Sequence, residues 1–289
     1  MREYQDTGST FKDKLRTRGF SASVIRDFRK IIYSHYRENV RLMPWRRTRD
    51  PYRILVSEIM LQQTQVERVQ GKYREFIRAF PNFSALATAP LLRVLKVWQG
   101  LGYNRRAISL MKTAEIVTKK FGGRLPIDPL MLVNLPGIGP YTASAIYTFV
   151  TDRPSLLIET NIRRVFIHFF FDDREDVRDD EIMPIIEKTL DRKNPRDWYY
   201  ALMDYGVNLK KEVENPNRRS AHYQRQSKFE GSVRQLRGLV LKTLLQSGGL
   251  TRHALIRKLP GDPENIDRVL EGLIKEGFIR KSGNTVVVP

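Results

Sequence analysis

The chain has 289 residues, 41% hydrophobic and 29% charged, which is enough for two domains with a small third, and no segment approaches the length of a membrane span. Cysteine is absent, which excludes disulfides, thiolate catalysis and any cysteine-built metal site, and the four histidines at 35, 168, 222 and 253 lack metal-ligand spacing. A formal net charge of +19 points to a polyanionic partner, nucleic acid first, although a merely soluble basic protein rich in ion pairs has the same signature.

The opening MREYQDTGSTFKDKLRTRGF lacks the apolar core of a signal peptide, so a cytoplasmic, nucleoid-associated location with no membrane partner is expected. Residues 1–19 are polar, basic and aperiodic and read as a mobile arm. An amphipathic helix follows over 21–39, with Val24, Ile25, Phe28, Ile31 and Ile32 spaced for one face. In RLMPWRRTRDPY the mix of Trp45 with Arg46 and its fellow arginines suits a base and its phosphates, and equally a plain linker with a packed tryptophan. Asp50 and Pro51 then read as the N-cap and first residue of a helix with an apolar stripe at Tyr52, Leu55, Val56, Ile59 and Met60. Glu58 interrupts it. A carboxyl group in a helix apolar nearly all round is held toward its neutral form and suits a general acid, whereas the bland reading has it bonding a neighbour or facing water. Gln62, Gln63, Thr64 and Gln65 end the helix with four hydrogen-bonding side chains.

Short helices are predicted around 67–79, 83–88, 90–98, 104–120 and 128–134. Between two of them the turn WQGLGYNRR presents Leu101 or Tyr103 for insertion between bases, or simply packs them. In NLPGIGPYTASAI, Gly137 and Gly139 bracket Ile138 before a helix opened by Pro140, the pattern of a phosphate-binding helix-hairpin-helix. Glu159 precedes a helix carrying Val165, Phe166, Phe169 and Phe170; the helix N-terminus favours its ionised form, so the two acids, Glu58 and Glu159, are expected to have pKa values pushed apart. A helix near 180–190 and a strongly apolar one over 198–209 come next. The stretch 210–237 carries eight Lys or Arg against three Glu, Arg218 and Arg219 among them, and reads as a basic loop over a phosphate backbone or a solvated linker. From Val233 three helices (to about 246, 251–259, 263–277) and a hairpin turning at Ser282–Asn284 suggest a winged helix.

Taken together, MPWRRTRDPY, SEIMLQQTQV, WQGLGYNRR, LPGIGPYTA and IETNIRRV, in this order and spacing over about Leu42 to Leu209, resemble the MutY adenine glycosylases of the helix-hairpin-helix (HhH-GPD) superfamily. The resemblance implies an all-α fold: a six-helix barrel over about 50–150, a second helical domain from 20–49 and 151–231, and the lesion in the cleft between them. Residues 232–289 form the winged-helix-like domain. By the same resemblance Glu58 protonates a flipped adenine at N7, and Glu159 stands where the family has a catalytic aspartate that stabilises the cationic sugar. Tyr141 occupies the position at which bifunctional relatives carry a Schiff-base lysine, which implies a monofunctional enzyme without AP lyase activity. Trp45, Arg46 and Tyr200 match the base pocket; Gln63, Leu101 and Tyr103 match residues that wedge beside the orphaned partner base, with Thr64 a further DNA-binding candidate; Gly137 and Gly139 match the phosphate hairpin.

This sequence departs from the family at Glu159, at Tyr200 (usually a Glu or Gln), in lacking cysteines for an iron-sulfur cluster, and in lacking the 8-oxoguanine-reading domain. No cofactor is therefore expected. The function implied is a monomeric DNA glycosylase of base excision repair acting on double-stranded DNA with a mispair or lesion, most simply adenine opposite guanine or 8-oxoguanine. Hypoxanthine or mismatched thymine or uracil is the alternative target, and a non-catalytic DNA-binding protein is the rival from another class.

Overall fold

A computed structural model describes residues 2–172, 174–225 and 228–289, which form fifteen α-helices and one small sheet. In chain order the helices are α1 (Arg2–Arg18), α2 (Ala22–Asn39), α3 (Pro51–Leu61), α4 (Val66–Ala79), α5 (Phe83–Ala87), α6 (Leu91–Trp98), α7 (Arg105–Phe121), α8 (Pro129–Leu132), α9 (Pro140–Thr151), α10 (Thr160–Phe170), α11 (Asp179–Thr189), α12 (Pro195–Glu212), α13 (Val233–Ser247), α14 (Arg252–Lys258) and α15 (Pro263–Lys275). The strands are β1 (Leu250–Thr251), β2 (Arg280–Ser282) and β3 (Thr285–Val287). No helix among the described residues is long and apolar enough to cross a membrane.

The chain divides into two compact units, both discontinuous in sequence. One comprises Met1–Ile54, Ile127–Asn134 and Ile138–Arg225; the other comprises Leu55–Pro126, Leu135–Gly137 and Gln226–Pro289. In the first, α10 is the centre. Its periodicity predicts one apolar face, yet Ile162, Val165, Phe166, Ile167 and Phe169 are all fully buried, because α2, α11, α12 and α1 pack around it. Phe28 of α2 meets Phe166 and Phe169 edge-on, with ring centroids 5.6 and 5.3 Å apart, and Trp198 of α12 at 5.8 Å. Such pairs each add about 0.5–1.5 kcal/mol beyond burial.

The same aromatic cluster corrects the expectation of a mobile arm at 1–19. Residues 2–18 are helical because Phe11, 1% exposed, inserts edge-on against Phe169 and Phe170 at 5.3 and 5.4 Å, and Lys12 pairs with Asp172 at 2.8 Å. Isolated aromatics in a polar run carry no period, so the helix is a product of what it packs against.

In the second unit α4 to α7 enclose Val69, Phe76, Phe80, Val94, Trp98, Ala107, Ala114 and Val117. Residues 233–289 make the expected three helices and terminal hairpin, with Ile266, Val269, Leu270, Leu273 and Phe278 as their core. The antiparallel sheet runs β1-β3-β2, Leu250 opposite Val286 and Lys281 opposite Val286 on the other side. Two differences from the expected domain pattern appear. The C-terminal helices belong with 55–126 in one unit, since α13 packs on α6. Helices α8 and α9 join the first unit, where Phe149 of α9 stacks on Tyr200 of α12 with centroids 4.7 Å apart.

Candidate active site

The second unit holds Glu58. Asp50 caps α3 by accepting the Arg53 N–H at 2.8 Å on Oδ1, and the apolar residues that follow place Glu58 between Leu55, Val56, Ile59 and Met60, all at most 1% exposed. Glu58 itself is 8% exposed. A carboxyl group at that depth has lost most of its water, which is what a proton donor at neutral pH requires.

The residue sequence reasoning passed over is Arg106. It is buried on α7, and its guanidinium donates from Nη1 to the carbonyls of Ile59 (3.0 Å) and Met60 (2.8 Å), and also to Gln62 O. From Nη2 it reaches Thr64 Oγ1 (2.9 Å) and the carbonyls of Leu101 (3.2 Å) and Gly102 (3.0 Å). It thereby satisfies the carbonyls left over at the C-terminus of α3 and ties two turns together. Desolvation lowers its pKa to about 10, so it stays charged at neutral pH. The paired arginines after GLGYN were the only signal available; at the end of α3 Arg106 meets carbonyls 44 to 47 positions away and a hydroxyl 42 positions away, which no pattern shows.

The two turns Arg106 joins carry Gln63 and Tyr103, both exposed and both left-handed, with φ of 54° and 46°. Non-glycine residues held there cost about 1–3 kcal/mol each, a strain found where surrounding structure imposes it, often at functional positions. Thr64 is a strut: its hydroxyl lies 3.3 Å from Leu101 O and takes the Arg106 bond. Leu101 does not match its expected role beside a partner base. It is 2% exposed, because the turn folds its side chain into the core and leaves Tyr103 outside. Gly137 shares this unit. Its φ is +81°, a Cβ there would lie 2.8 Å from Ser109 Cβ, and its carbonyl accepts from Gln62 Nε2 at 3.1 Å. Gly139, by contrast, is the N-cap of α9 at φ −88° and needs no special freedom.

The first unit holds Glu159, Tyr141, Trp45, Arg46 and Tyr200. Glu159 is the N-cap of α10. Its Oε1 accepts the N–H groups of Asn161 and Ile162 at 2.8 and 2.9 Å, and Oε2 accepts Asn161 Nδ2 at 3.1 Å. Burial raises its pKa above the ordinary glutamate value, against the opposing pull of those N–H groups and of Arg164 and Arg163. The expected helix-end stabilisation is present, but the net direction is upward because desolvation outweighs it. Tyr141 is the second residue of α9, after Pro140, and is half-buried.

Arg46 follows Trp45, itself buried, in the short 3₁₀ turn Pro44–Arg47. Its guanidinium grips the fully buried Asp204 bidentately, at 2.7 and 2.8 Å, and Arg41 Nε joins the same carboxylate at 2.6 Å. Arg46 also lies 4.5 Å over the Tyr200 ring, which Phe149 stacks at 4.7 Å. Tyr200 is thus braced by a cation and an aromatic ring, 5% exposed, and it offers a phenol where an acid or amide is the family pattern. Asp204 was not anticipated: an aspartate in WYYALMDYG reads as a helix-surface charge until the arginines 158 and 163 positions earlier are brought to it.

The segment 210–225 lies against α10 through Asn217 Nδ2 to Thr160 O (2.7 Å) and Arg164 Nε to Asn215 Oδ1 (3.0 Å), and against the connection that follows α10 through paired backbone bonds of Val177 with Arg219 and Ala221. Arg219 turns inward to the Phe171 carbonyl at 3.1 Å, whereas Arg218 is exposed and pairs with Glu214. Residues 226 and 227 of the expected basic loop lie outside the described residues. The iron-sulfur cluster of the family does not fit this chain, because thiolate donors are missing and amides and backbone groups make the bonds that hold the segment.

Residues 56–191 match the model of the HhH-GPD superfamily base excision DNA repair proteins. The adenine DNA glycosylase of Mycolicibacterium smegmatis is 32% identical over 272 residues, 87% of this chain and 91% of that one. That of Buchnera aphidicola (subspecies Baizongia pistaciae) is 37% identical over 179 residues; the match takes in 61% of this chain and only half of the relative. A solved structure of a thermostable thymine-DNA glycosylase superposes with a TM-score of 0.57 at 26% identity, over 63% of this chain and 86% of that one.

Proposed function

Because this chain belongs to the HhH-GPD superfamily of base excision DNA repair proteins, we propose that it is a monomeric, monofunctional DNA glycosylase that removes adenine mispaired with guanine or 8-oxoguanine in double-stranded DNA. Glu58 gives its proton to N7 of the flipped base, which draws the electron pair of the C1′–N9 bond onto the departing purine. Glu159, as a carboxylate, faces the positive charge left on the sugar and takes the proton of the water that adds to C1′, so free base and an abasic site result. A raised pKa suits a group that must accept that proton. Tyr141 has no amine with which to form an imine, and no iron-sulfur cluster takes part.

The observation that carries this reading is the burial of Glu58 at 8% exposure on a helix whose neighbouring side chains are sealed from water. One observation favours a second target. Tyr200, held between Arg46 and Phe149, carries a phenol hydroxyl, and a hydroxyl donor matches the O6 acceptor of hypoxanthine where adenine presents the N6 amine. Base release from duplexes carrying adenine, hypoxanthine, thymine or uracil opposite guanine, 8-oxoguanine, cytosine or thymine decides between them. Adenine release opposite guanine or its oxidised form is expected, with a loss of about 10²–10⁴-fold in Glu58→Gln at unchanged DNA affinity. Full activity in Glu58→Gln removes it as the donor. Borohydride should trap no covalent complex with the natural chain, and trapping would overturn the monofunctional assignment.

A further inference from the structure

The two oxygens of Glu159 are held in different ways. Those bonds that reach Oε1 come from the backbone N–H groups of Asn161 and Ile162, which the helix itself fixes, whereas Oε2 depends on a side chain, the Asn161 amide, with Nδ2 at 3.1 Å. An amide can turn either end to a neighbour. Arg164 makes the choice: it carries donors only, and its Nη1 lies 2.7 Å from Asn161 Oδ1, which leaves Nδ2 as the end that meets the carboxylate. The same Nη1 donates to Gly206 O, and Nε donates to Asn215 Oδ1 at 3.0 Å. Arg164 is buried, so these oxygens stand in for its water. Gly206 is needed for the close approach of α12, because a Cβ there would collide with Asn161 O. Asn215 is in turn the N-cap of the short 3₁₀ turn Pro216–Arg219, and its Oδ1 also takes the Asn217 N–H at 3.3 Å. Asn217, likewise buried, donates from Nδ2 to the carbonyl of Thr160, the residue after Glu159, at 2.7 Å.

We infer that the segment 213–219 governs Glu159 at one remove: Asn215 holds Arg164, Arg164 orients the Asn161 amide, and that amide aims Oε2, which makes Arg164 and Asn215 positioning residues. The inference rests on the proposed function for the role of Glu159, and on the hydrogen bonds alone for its mechanics. The charged groups that act on Glu159 are Arg164 and Arg163 of its own helix. Asp179 of α11 grips Arg163 bidentately, at 2.6 and 2.7 Å, whereas Arg164 is met by amide and carbonyl oxygens, which hold it without cancelling its charge. A neutral acceptor at position 215 therefore fixes the arginine and leaves its charge to favour the carboxylate; an acid there would fix it equally and discharge it.

The test uses the full-length chain with Asn215→Ser, Asn215→Asp and Arg164→Lys. Serine keeps a hydroxyl to cap the Pro216–Arg219 turn but falls short of Arg164, while aspartate reaches both and adds a charge. In the DNA-free chain the carboxyl-carbon NMR resonance of Glu159, identified by its loss in Glu159→Gln, should titrate about one pH unit higher in Asn215→Ser than in the natural chain. An unchanged midpoint overturns the inference, whatever the activity. In single-turnover base release, the rate on the alkaline plateau should fall about fivefold in Asn215→Ser and Arg164→Lys at DNA affinity within about twofold. Asn215→Asp should restore the plateau rate while the acid limb stays displaced upward, since the aim returns and the charge does not. A loss in Asn215→Asp as large as in Asn215→Ser overturns the positioning role. Should Arg164→Lys not fold, Asn215→Ser decides, because position 215 is a half-buried turn whose cap survives. If the natural chain releases no base at all, the proposed function falls, and the carboxyl titration still upholds or overturns the link from Asn215 to Glu159.

Discussion

The two units bury an arginine in opposite ways. Arg46 is neutralised by a carboxylate, Asp204, with Arg41 sharing the load, whereas Arg106 is surrounded by carbonyl oxygens at a helix end and two turns. The first arrangement fixes Arg46 over the Tyr200 ring. The second leaves a positive charge beside the turns that carry Gln63 and Tyr103. A cation satisfied by dipoles keeps its whole charge; Asp204 neutralises one of its two arginines, and the net positive charge of that cluster sits on the more exposed Arg41. The contrast explains how a chain can place one buried arginine for rigidity and another for both rigidity and charge.

The comparison breaks most visibly at Asp204. Asp204→Ala strands Arg46 in the interior and is expected to cost about 3–5 kcal/mol, read as a lowered urea midpoint and melting temperature. Arg106→Met removes the charge but leaves carbonyls that water can partly reach at the turns, and about 2 kcal/mol is expected, with faster amide exchange at 62–64 and 101–103. Equal costs for the two would mean that carbonyls and a carboxylate hold a buried arginine alike, and the distinction fails.

Glu159 sharpens the comparison from the acid side. Its pKa is raised, so its contribution to stability is present below the unfolded-state value and is lost as pH rises through the folded value. Glu159→Gln keeps an oxygen for the Asn161 and Ile162 N–H groups and should therefore raise the urea midpoint at pH 7 but not at pH 4, while abolishing base release. In the natural chain the acid limb of the pH–rate profile should lie above 4.5, the ordinary value for a glutamate. A limb at or below that value would show that Glu159 is not the base.

The smallest effect belongs to Glu276, where hydrogen bonds from Arg105 and Arg237 depress the pKa to about 2. The sign is reversed: its stabilisation is present above 4.5 and is lost as pH falls toward 2. On the order of 1 kcal/mol is expected after solvent screening of the exposed Arg105. Denaturation of the natural chain and Glu276→Gln at pH 6 and pH 3 measures it, and the gap between the two proteins should narrow at the lower pH.

The sequence by itself determined a great deal here. Apolar period, N-caps such as Asp50 and Glu159, and Pro-led helix starts at 51 and 140 are local signals, and they locate helices within a residue or two over most of 21–212. The motifs around Glu58, Gly137 and Glu159 were legible because each is a short run whose residue types and spacing carry the resemblance. Tertiary structure alone decided the rest. Helix α1 exists because Phe11 finds Phe169 and Phe170, and Leu101 is buried where Tyr103 is exposed because the turn can present only one of them. Asp204 and Arg106 gained their surroundings from partners as far as 163 and 47 positions away. A charged side chain reads in sequence as a solvated one. Only the fold shows whether another group has replaced its water, because that replacement depends on contacts between segments that no local pattern records.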